Sequence, residues 1–123
     1  ITGFGLAGHA LEMAQGAGLT LVLDAMALPV HAGALDLADQ GISSRGLRDN
    51  AADVAPHVTI QGTLPPARHA VVMDPQTSGG LLFGVAPQHA QACLDVLQGQ
   101  GMAAATVVGR VEPGPGRVTL LGG

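Results

Sequence analysis

The sequence predicts a single α+β domain, in which helices cover the faces of a mixed or antiparallel sheet. Helical and strand-like patterns mix along the chain without strict strand-helix-strand repetition, which argues against an all-parallel sheet. The length of 123 residues matches the usual size of one domain. Because 47% of residues are apolar and only 11% are charged, the chain can bury a core and is not expected to be disordered.

The N-terminal third is predicted to form helix, strand and helix in that order. Residues 4–17 carry apolar side chains at helical spacing, with Thr2 as N-cap and Gly18 at the end. Residues 19–25 form a short Leu- and Val-rich run, which is typical of a buried strand. A second helix is predicted from Pro29 to about Gln40, because proline suits the first helical position.

The middle of the chain is predicted to contain two short helices on either side of a strand. Residues 43–46 read as a loop, after which Asp49 or Asn50 begins a helix that Pro56 stops. Residues 58–61 form a brief strand. The next helix is predicted over 65–70, where two prolines supply the start.

The C-terminal part is predicted to add a strand, a helix and a hairpin. Residues 81–85 form an apolar run that favours a strand, and Pro87 begins a helix. Cys93 lies in the middle of the apolar stripe of that helix and is predicted to be buried as a core residue. Two β-rich runs flank residues 113–116, and the Pro-Gly-Pro-Gly turn predicts that they pair as a hairpin.

Composition excludes several classes of partner. Nine acidic residues oppose five arginines, the net charge is −4, and the chain has no lysine, tryptophan or tyrosine. Such a surface lacks both the basic stripe and the aromatic platforms that bind nucleic acids. No apolar run approaches the roughly 18 residues of a membrane span, so a cytoplasmic protein without a membrane partner is expected. Cys93 is the only cysteine, which rules out an intrachain disulfide.

The first candidate site is the opening run Thr2-Gly3-Phe4-Gly5, directly before the first helix. Glycines beside a helix start expose backbone N–H groups, which can hold a small anion. His9 follows within a turn or two and could line the same cleft. The alternative interpretation is an ordinary helix start without a ligand.

The second candidate site is a polar loop between apolar elements. Its members are Asp74, Gln76, Thr77, Ser78, Gly79 and Gly80. Pro75 restricts one backbone dihedral, while the two glycines permit close approach of another backbone. The alternative is a polar surface turn. We expect this loop and the opening glycines to converge on one cleft.

A third group comprises Arg48 and Asn50, with Arg45 nearby. A guanidinium there could pair with a phosphate or carboxylate, although a solvated helix face is the simpler alternative. The histidines lack the spacing of known metal motifs, so no metal ligand is predicted within the chain. They are His9, His31, His57, His69 and His89.

The order of these motifs resembles the selenophosphate synthetase family. ITGFGLAGH, then DPQTSGGLL, then GRV near the end occur in the family's order along the whole chain, and DPQTSGG is the specific part. The TGFG run alone indicates only the wider superfamily of aminoimidazole ribonucleotide synthetase relatives. The resemblance implies that residues 1–123 form the C-terminal domain of a longer enzyme, with a three-layer α/β/α fold that is partly ferredoxin-like.

The resemblance also implies an activity. Enzymes of the family use ATP, selenide and water with Mg²⁺ to make selenophosphate, AMP and phosphate. The implied partner of this domain is its own N-terminal ATP-binding domain, within a full-length homodimer. The stretch 1–123 is expected to be inactive alone and to bind neither ATP nor magnesium tightly, since the family's metal-binding Asp would precede Ile1 and the nucleophile loop lies farther upstream.

The implied cleft has two walls. The wall on the phosphate side is Thr2, Gly3 and Gly5. The wall facing the other half of the enzyme includes Gln76, Thr77 and Ser78. One departure concerns Arg45-Gly46-Leu47, where the family has Gly-Gly-Thr before its Arg, so a hydroxyl contact is missing there. The alternatives are another ATP-using enzyme of the superfamily and a non-catalytic interaction domain of the same fold.

Overall fold

A computed structural model describes all residues from Ile1 to Gly123. The chain forms five α-helices and four strands, joined in part by 3-10 turns at Ala55–His57 and Pro87–His89. In chain order they are α1 (Gly5–Ala17), β1 (Leu19–Asp24), α2 (Ala34–Asp39), α3 (Arg45–Val54), β2 (Val58–Gln61), α4 (Pro66–Met73), α5 (Ala90–Gly99), β3 (Gly109–Pro113) and β4 (Arg117–Leu121). None of these helices combines the length and apolar character that a bilayer crossing requires.

The four strands form one mixed sheet in the order β2-β4-β1-β3. Strand β1 is parallel to β4 and antiparallel to β3, and β2 is parallel to β4. The predicted α+β class and mixed sheet are therefore confirmed.

The predicted hairpin of the last two strands is wrong, because β3 and β4 each pair with β1 and not with each other. The connecting turn crosses the start of β1, where the Thr20 hydroxyl donates to the Pro115 carbonyl at 2.8 Å. A Pro-Gly-Pro-Gly turn specifies a chain reversal only. It does not specify which strands exchange hydrogen bonds.

The core lies where α1 packs against the two central strands. Ala7, Ala10 and Ala14 are completely buried on the inner face of α1, and such small side chains let a helix lie close to a sheet. Helix α1 also contacts α3 and α4, and α2 packs on α4. The core cluster consists of Ala7, Ala10, Leu11, Ala14, Leu21, Leu23, Ala25, Leu28, Val54, Val72, Met73, Val118 and Leu120.

Three helix boundaries differ from prediction. Helix α2 begins at Ala34, not at Pro29, and α4 continues to Met73. Helix α3 begins at Arg45, because the Ser44 Oγ accepts the backbone N–H of Leu47 at 3.1 Å and so caps the helix. The predicted start at Asp49 or Asn50 was wrong, since the single hydroxyl at Ser44 sets the boundary.

The predicted strand over 81–85 is absent. These residues belong to no ladder of the sheet, and 85% of Leu81 is exposed. An apolar run becomes a strand only where a neighbouring edge pairs with it. Downstream, the predicted burial of Cys93 is also wrong: the side chain is half-buried, and α5 has no fully buried residue.

Candidate functional site

The opening segment and the polar loop 74–80 lie side by side, joined by backbone hydrogen bonds. The Thr2 carbonyl accepts the N–H of Gln76 at 3.0 Å, and the Ile1 carbonyl accepts the N–H of Gly79 at 3.1 Å. The Ile1 nitrogen donates in turn to the carbonyl of Gly80 at 2.8 Å. The two segments singled out in the sequence therefore form one continuous surface.

Asn50 stabilises the contact between the opening segment and the end of α4. Only 8% of the residue is exposed, and its Nδ2 donates to the carbonyls of Gly3 and Met73, both at 2.9 Å. One amide therefore ties α3 to the opening segment and to the end of α4. The sequence singled out Asn50 as a cleft residue, but the structure places its amide below the surface as a clamp.

Two glycines permit the close approach of these backbones. Gly5 has a φ of +67°, and a Cβ at this position would lie 2.8 Å from the carbonyl oxygen of Met73. A Cβ at Gly79 would lie 2.6 Å from the carbonyl oxygen of Ile1. Both distances are too short for a real side chain, so only glycine fits. The glycines thus serve the packing of one segment on the other.

The prediction that Thr2 caps α1 is wrong. The residue preceding this helix is Phe4, and no side chain caps the helix start. The Thr2 hydroxyl is instead 2.8 Å from Nε2 of His9, whose Nδ1 is 2.8 Å from Oε2 of Glu12. His9 was predicted to line the cleft, and it does contact the opening segment. Sequence reasoning missed Glu12, although its position three residues after His9 on a helix was a usable signal.

The polar loop divides into an anchored and an open part. The Gln76 amide donates to the Asp74 carboxylate at 3.0 Å, and both residues are half-buried. Thr77 and Ser78 are exposed, and their hydroxyls have no hydrogen-bond partner within the chain. These two hydroxyls are therefore available to a ligand or to another protein segment.

An apolar cavity of about 490 Å³ opens beside the loop. Leu37 of α2 and Val71 of α4 contribute to its wall, and Asp74, Gln76 and Ser78 contribute polar groups. Sequence reasoning missed this cavity, because its wall combines side chains from helices far apart in the sequence. The cleft thus has a polar surface next to an apolar one.

Arg48 stands apart from this arrangement. Its side chain is exposed and makes no hydrogen bond or ion pair, whereas Arg45 pairs with Asp49 at 3.6 Å. The structure therefore does not link the Arg48 guanidinium to the cleft. No group of three or more His, Cys, Asp or Glu residues lies close enough together to hold a metal ion.

Comparison with known proteins gives a consistent result. The family described as AIR synthase related protein, C-terminal domain, matches residues 1–121. The chain is 42% identical over 118 residues to a selenide, water dikinase of Pseudomonas straminea, covering 96% of this chain and 33% of that protein. It is 41% identical over 121 residues to one of Nitratidesulfovibrio vulgaris, covering 98% and 35%.

A third relative, the selenide, water dikinase of Clostridioides difficile, is 35% identical over 122 residues, which cover 98% of this chain and 35% of that protein. The chain thus spans about a third of the length of the curated relatives it matches.

Proposed function

Because the chain belongs to the family of AIR synthase related proteins, C-terminal domain, we propose that it is the C-terminal domain of a selenide, water dikinase. The full-length enzyme would convert ATP, selenide and water into selenophosphate, AMP and phosphate. The observation that carries this proposal is the identity of about 40% with selenide, water dikinases along nearly the whole chain. The DPQTSGG loop and the TGFG segment, which carry the resemblance, lie together in the structure.

The geometry supports a role as one wall of a shared active site. Phosphoryl transfer depends chiefly on positioned dipoles and charges around the transferred group. The exposed hydroxyls of Thr77 and Ser78 and the Thr2 hydroxyl provide such groups along one surface. Gly5 and Gly79 keep side chains out of the contact between these backbones, whereas a Cβ at Gly3 or Gly80 would meet no atom within 4 Å.

The partner of this surface would be the N-terminal ATP-binding domain of the same protein. Large apolar side chains surround the junction without burial: Phe4 is 58% exposed and Leu81 is 85% exposed. Apolar exposure of this kind beside a polar cleft is typical of a surface that another domain covers. We further propose that the full-length enzyme is a cytoplasmic homodimer. Sedimentation analysis of the full-length protein would test whether it is a dimer.

ATP and Mg²⁺ would be the cofactors of the full-length enzyme. The carboxylate of the cleft, Asp74, is hydrogen-bonded to Gln76, and the chain lacks a cluster of metal-ligating side chains. The residues present do not by themselves fit a magnesium site, so no catalytic step through a metal is derived for this domain. Its contribution comes from its own side chains and from closing the site.

The test is to place Gln76→Ala and Thr77→Ala separately in the full-length protein and to measure selenide-dependent AMP formation. Loss of a positioning hydrogen bond is expected to lower kcat/KM by about tenfold to a hundredfold for each change. Gln91→Ala is a matched control, because Gln91 makes the same kind of bond, to Asp95 at 2.8 Å, on the exposed helix α5. Thr106→Ala controls for loss of an exposed threonine.

Wild-type-like turnover in both Gln76→Ala and Thr77→Ala would contradict the proposed role of the loop 74–80. A full-length wild-type protein that forms no AMP when given selenide and ATP would contradict the proposed function itself.

A further inference from the structure

Thr2, His9 and Glu12 form a linear chain of hydrogen bonds at the edge of the cleft. The Thr2 Oγ1 lies 2.8 Å from His9 Nε2, and His9 Nδ1 lies 2.8 Å from Glu12 Oε2. His9 and Glu12 are three positions apart on α1 and so share one face of the helix. The His9 side chain is only 24% exposed, which restricts the orientation of its ring.

The chemistry of the three groups determines where the protons lie. An ionised carboxylate can only accept, so Nδ1 of His9 must donate to Glu12. In a neutral imidazole, Nε2 then carries the lone pair and accepts the proton of the Thr2 hydroxyl. This hydroxyl makes no other hydrogen bond in the chain. The lone pairs of the Thr2 oxygen are therefore free to accept a hydrogen bond from outside.

The position of Thr2 connects this chain of bonds with the cleft. Its backbone carbonyl binds the N–H of Gln76, so the hydroxyl lies on a residue that contacts the polar loop directly. Thr2 is exposed, and it does not cap α1. A hydroxyl that accepts from solvent and donates to a carboxylate-supported histidine has the connectivity of a proton relay.

We propose that this relay takes the proton of the water molecule consumed in the dikinase reaction, an inference that rests on the proposed function. The water oxygen forms a new bond to a phosphorus atom of the nucleotide. The bridging P–O bond breaks, and its electron pair stays on the leaving oxygen. One proton of the water passes to the Thr2 oxygen while the Thr2 proton passes to His9 Nε2. Glu12 stabilises the resulting imidazolium.

Glu12 is the carboxylate that forms the hydrogen bond with His9. The helices and strands packed against α1 carry other charged or titratable groups: Asp24, Arg45, Arg48, Asp49, Asp53, Arg68, His69 and Arg117. None of their carboxylates lies within 4.0 Å of a His9 nitrogen. His9 and Glu12 thus act through Thr2, which is the member that would touch the water.

The central experiment is chemical rescue in the full-length enzyme. His9→Ala is expected to lower kcat for selenide-dependent AMP formation about a hundredfold, with KM for ATP changed less than about threefold. Added imidazole is expected to restore kcat about tenfold, because it replaces the missing base and not a packing contact. His89→Ala, at an exposed histidine in the 3-10 turn before α5, should leave kcat unchanged.

Two substitutions at Thr2 separate the relay from simple packing. Thr2→Ser keeps the hydroxyl and should retain most of kcat. Thr2→Val keeps the shape, removes the hydroxyl, and should lose kcat about as much as His9→Ala, without rescue by imidazole. A folded His9→Ala enzyme with normal kcat, or one whose loss imidazole does not rescue, would overturn the relay. So would full activity in Thr2→Val.

A spectroscopic measurement tests the geometry independently of activity. In full-length protein labelled with ¹⁵N in histidine only, the His9 signals are those that disappear in His9→Ala, or in His9→Gln if the alanine variant does not fold. Neutral His9 is expected as the Nδ1–H tautomer, and an Nε2–H tautomer would contradict the relay. If the wild type forms no AMP, the proposed function fails, whereas the tautomer still decides whether the hydrogen-bond chain exists.

Discussion

Asn50 illustrates how much one buried polar side chain decides in this domain. Its amide satisfies two backbone carbonyls that would otherwise lack partners, one in the opening segment and one at the end of α4. The sequence places Asn50 in a polar stretch beside Arg48, where neither helix orientation nor burial is evident. Its role became visible only because α3 packs against both α1 and α4.

Replacing Asn50 by alanine is expected to destabilise the domain by about 2 kcal/mol, because the buried carbonyl of Met73 and the partly buried carbonyl of Gly3 lose their donor. Urea denaturation followed by circular dichroism measures this change. Asp49→Ala is the matched control, since Asp49 is exposed and its ion pair with Arg45 spans 3.6 Å. An exposed pair of this kind contributes about 0.5 kcal/mol or less. Equal stability of the two variants would contradict the clamp.

At the scale of elements, helix α1 connects the core to the candidate site. Its inner alanines pack on the sheet, while its second and third turns carry His9 and Glu12. The helix ends at Gly18, which adopts a left-handed conformation with φ of +65° and caps the last turn. The position of the relay therefore depends on where this helix starts and stops.

Substitutions at two glycines near the end of α1 are expected to change the stability of the domain in opposite directions. Gly18→Ala is expected to destabilise the domain by about 1 kcal/mol, because a Cβ disfavours positive φ. Gly16→Ala is expected to stabilise it by about 0.5–1 kcal/mol, since Gly16 lies within the helix and an added Cβ meets no atom within 4 Å. Thermal denaturation should move the two melting temperatures in opposite directions; a shift in the same direction would contradict the assigned cap.

At the scale of the whole molecule, the domain combines a buried core with a poorly covered apolar region. Strand β4 is buried at Val118 and Leu120, at the centre of the sheet. Leu81, Phe83 and the outer face of α5 remain exposed. Stability should therefore depend strongly on the centre of the sheet and weakly on the exposed side chains of residues 83–99, whereas Leu82 packs against the core.

Val118→Ala and Val96→Ala test this division with the same chemical change. Val118 is completely buried, and removing two methyl groups there is expected to cost about 2 kcal/mol, through lost burial and the remaining cavity. Val96 is 64% exposed on α5, so its replacement should change stability by less than about 0.5 kcal/mol. Urea denaturation would measure both, and a comparable loss in the two variants would show that α5 belongs to the core.

The sequence alone determined the features that depend on neighbouring residues. Helix α1 with its glycine stop, strand β1, the α+β class and the two motif segments were all predicted, because periodicity, caps and turn residues act over a few positions. The tertiary structure alone decided which elements meet. It inserted β1 between β3 and β4, left 81–85 unpaired, turned Asn50 into a clamp and brought Glu12 into line with His9 and Thr2. These outcomes depend on hydrogen-bond partners and packing surfaces distant in sequence, which local patterns do not encode.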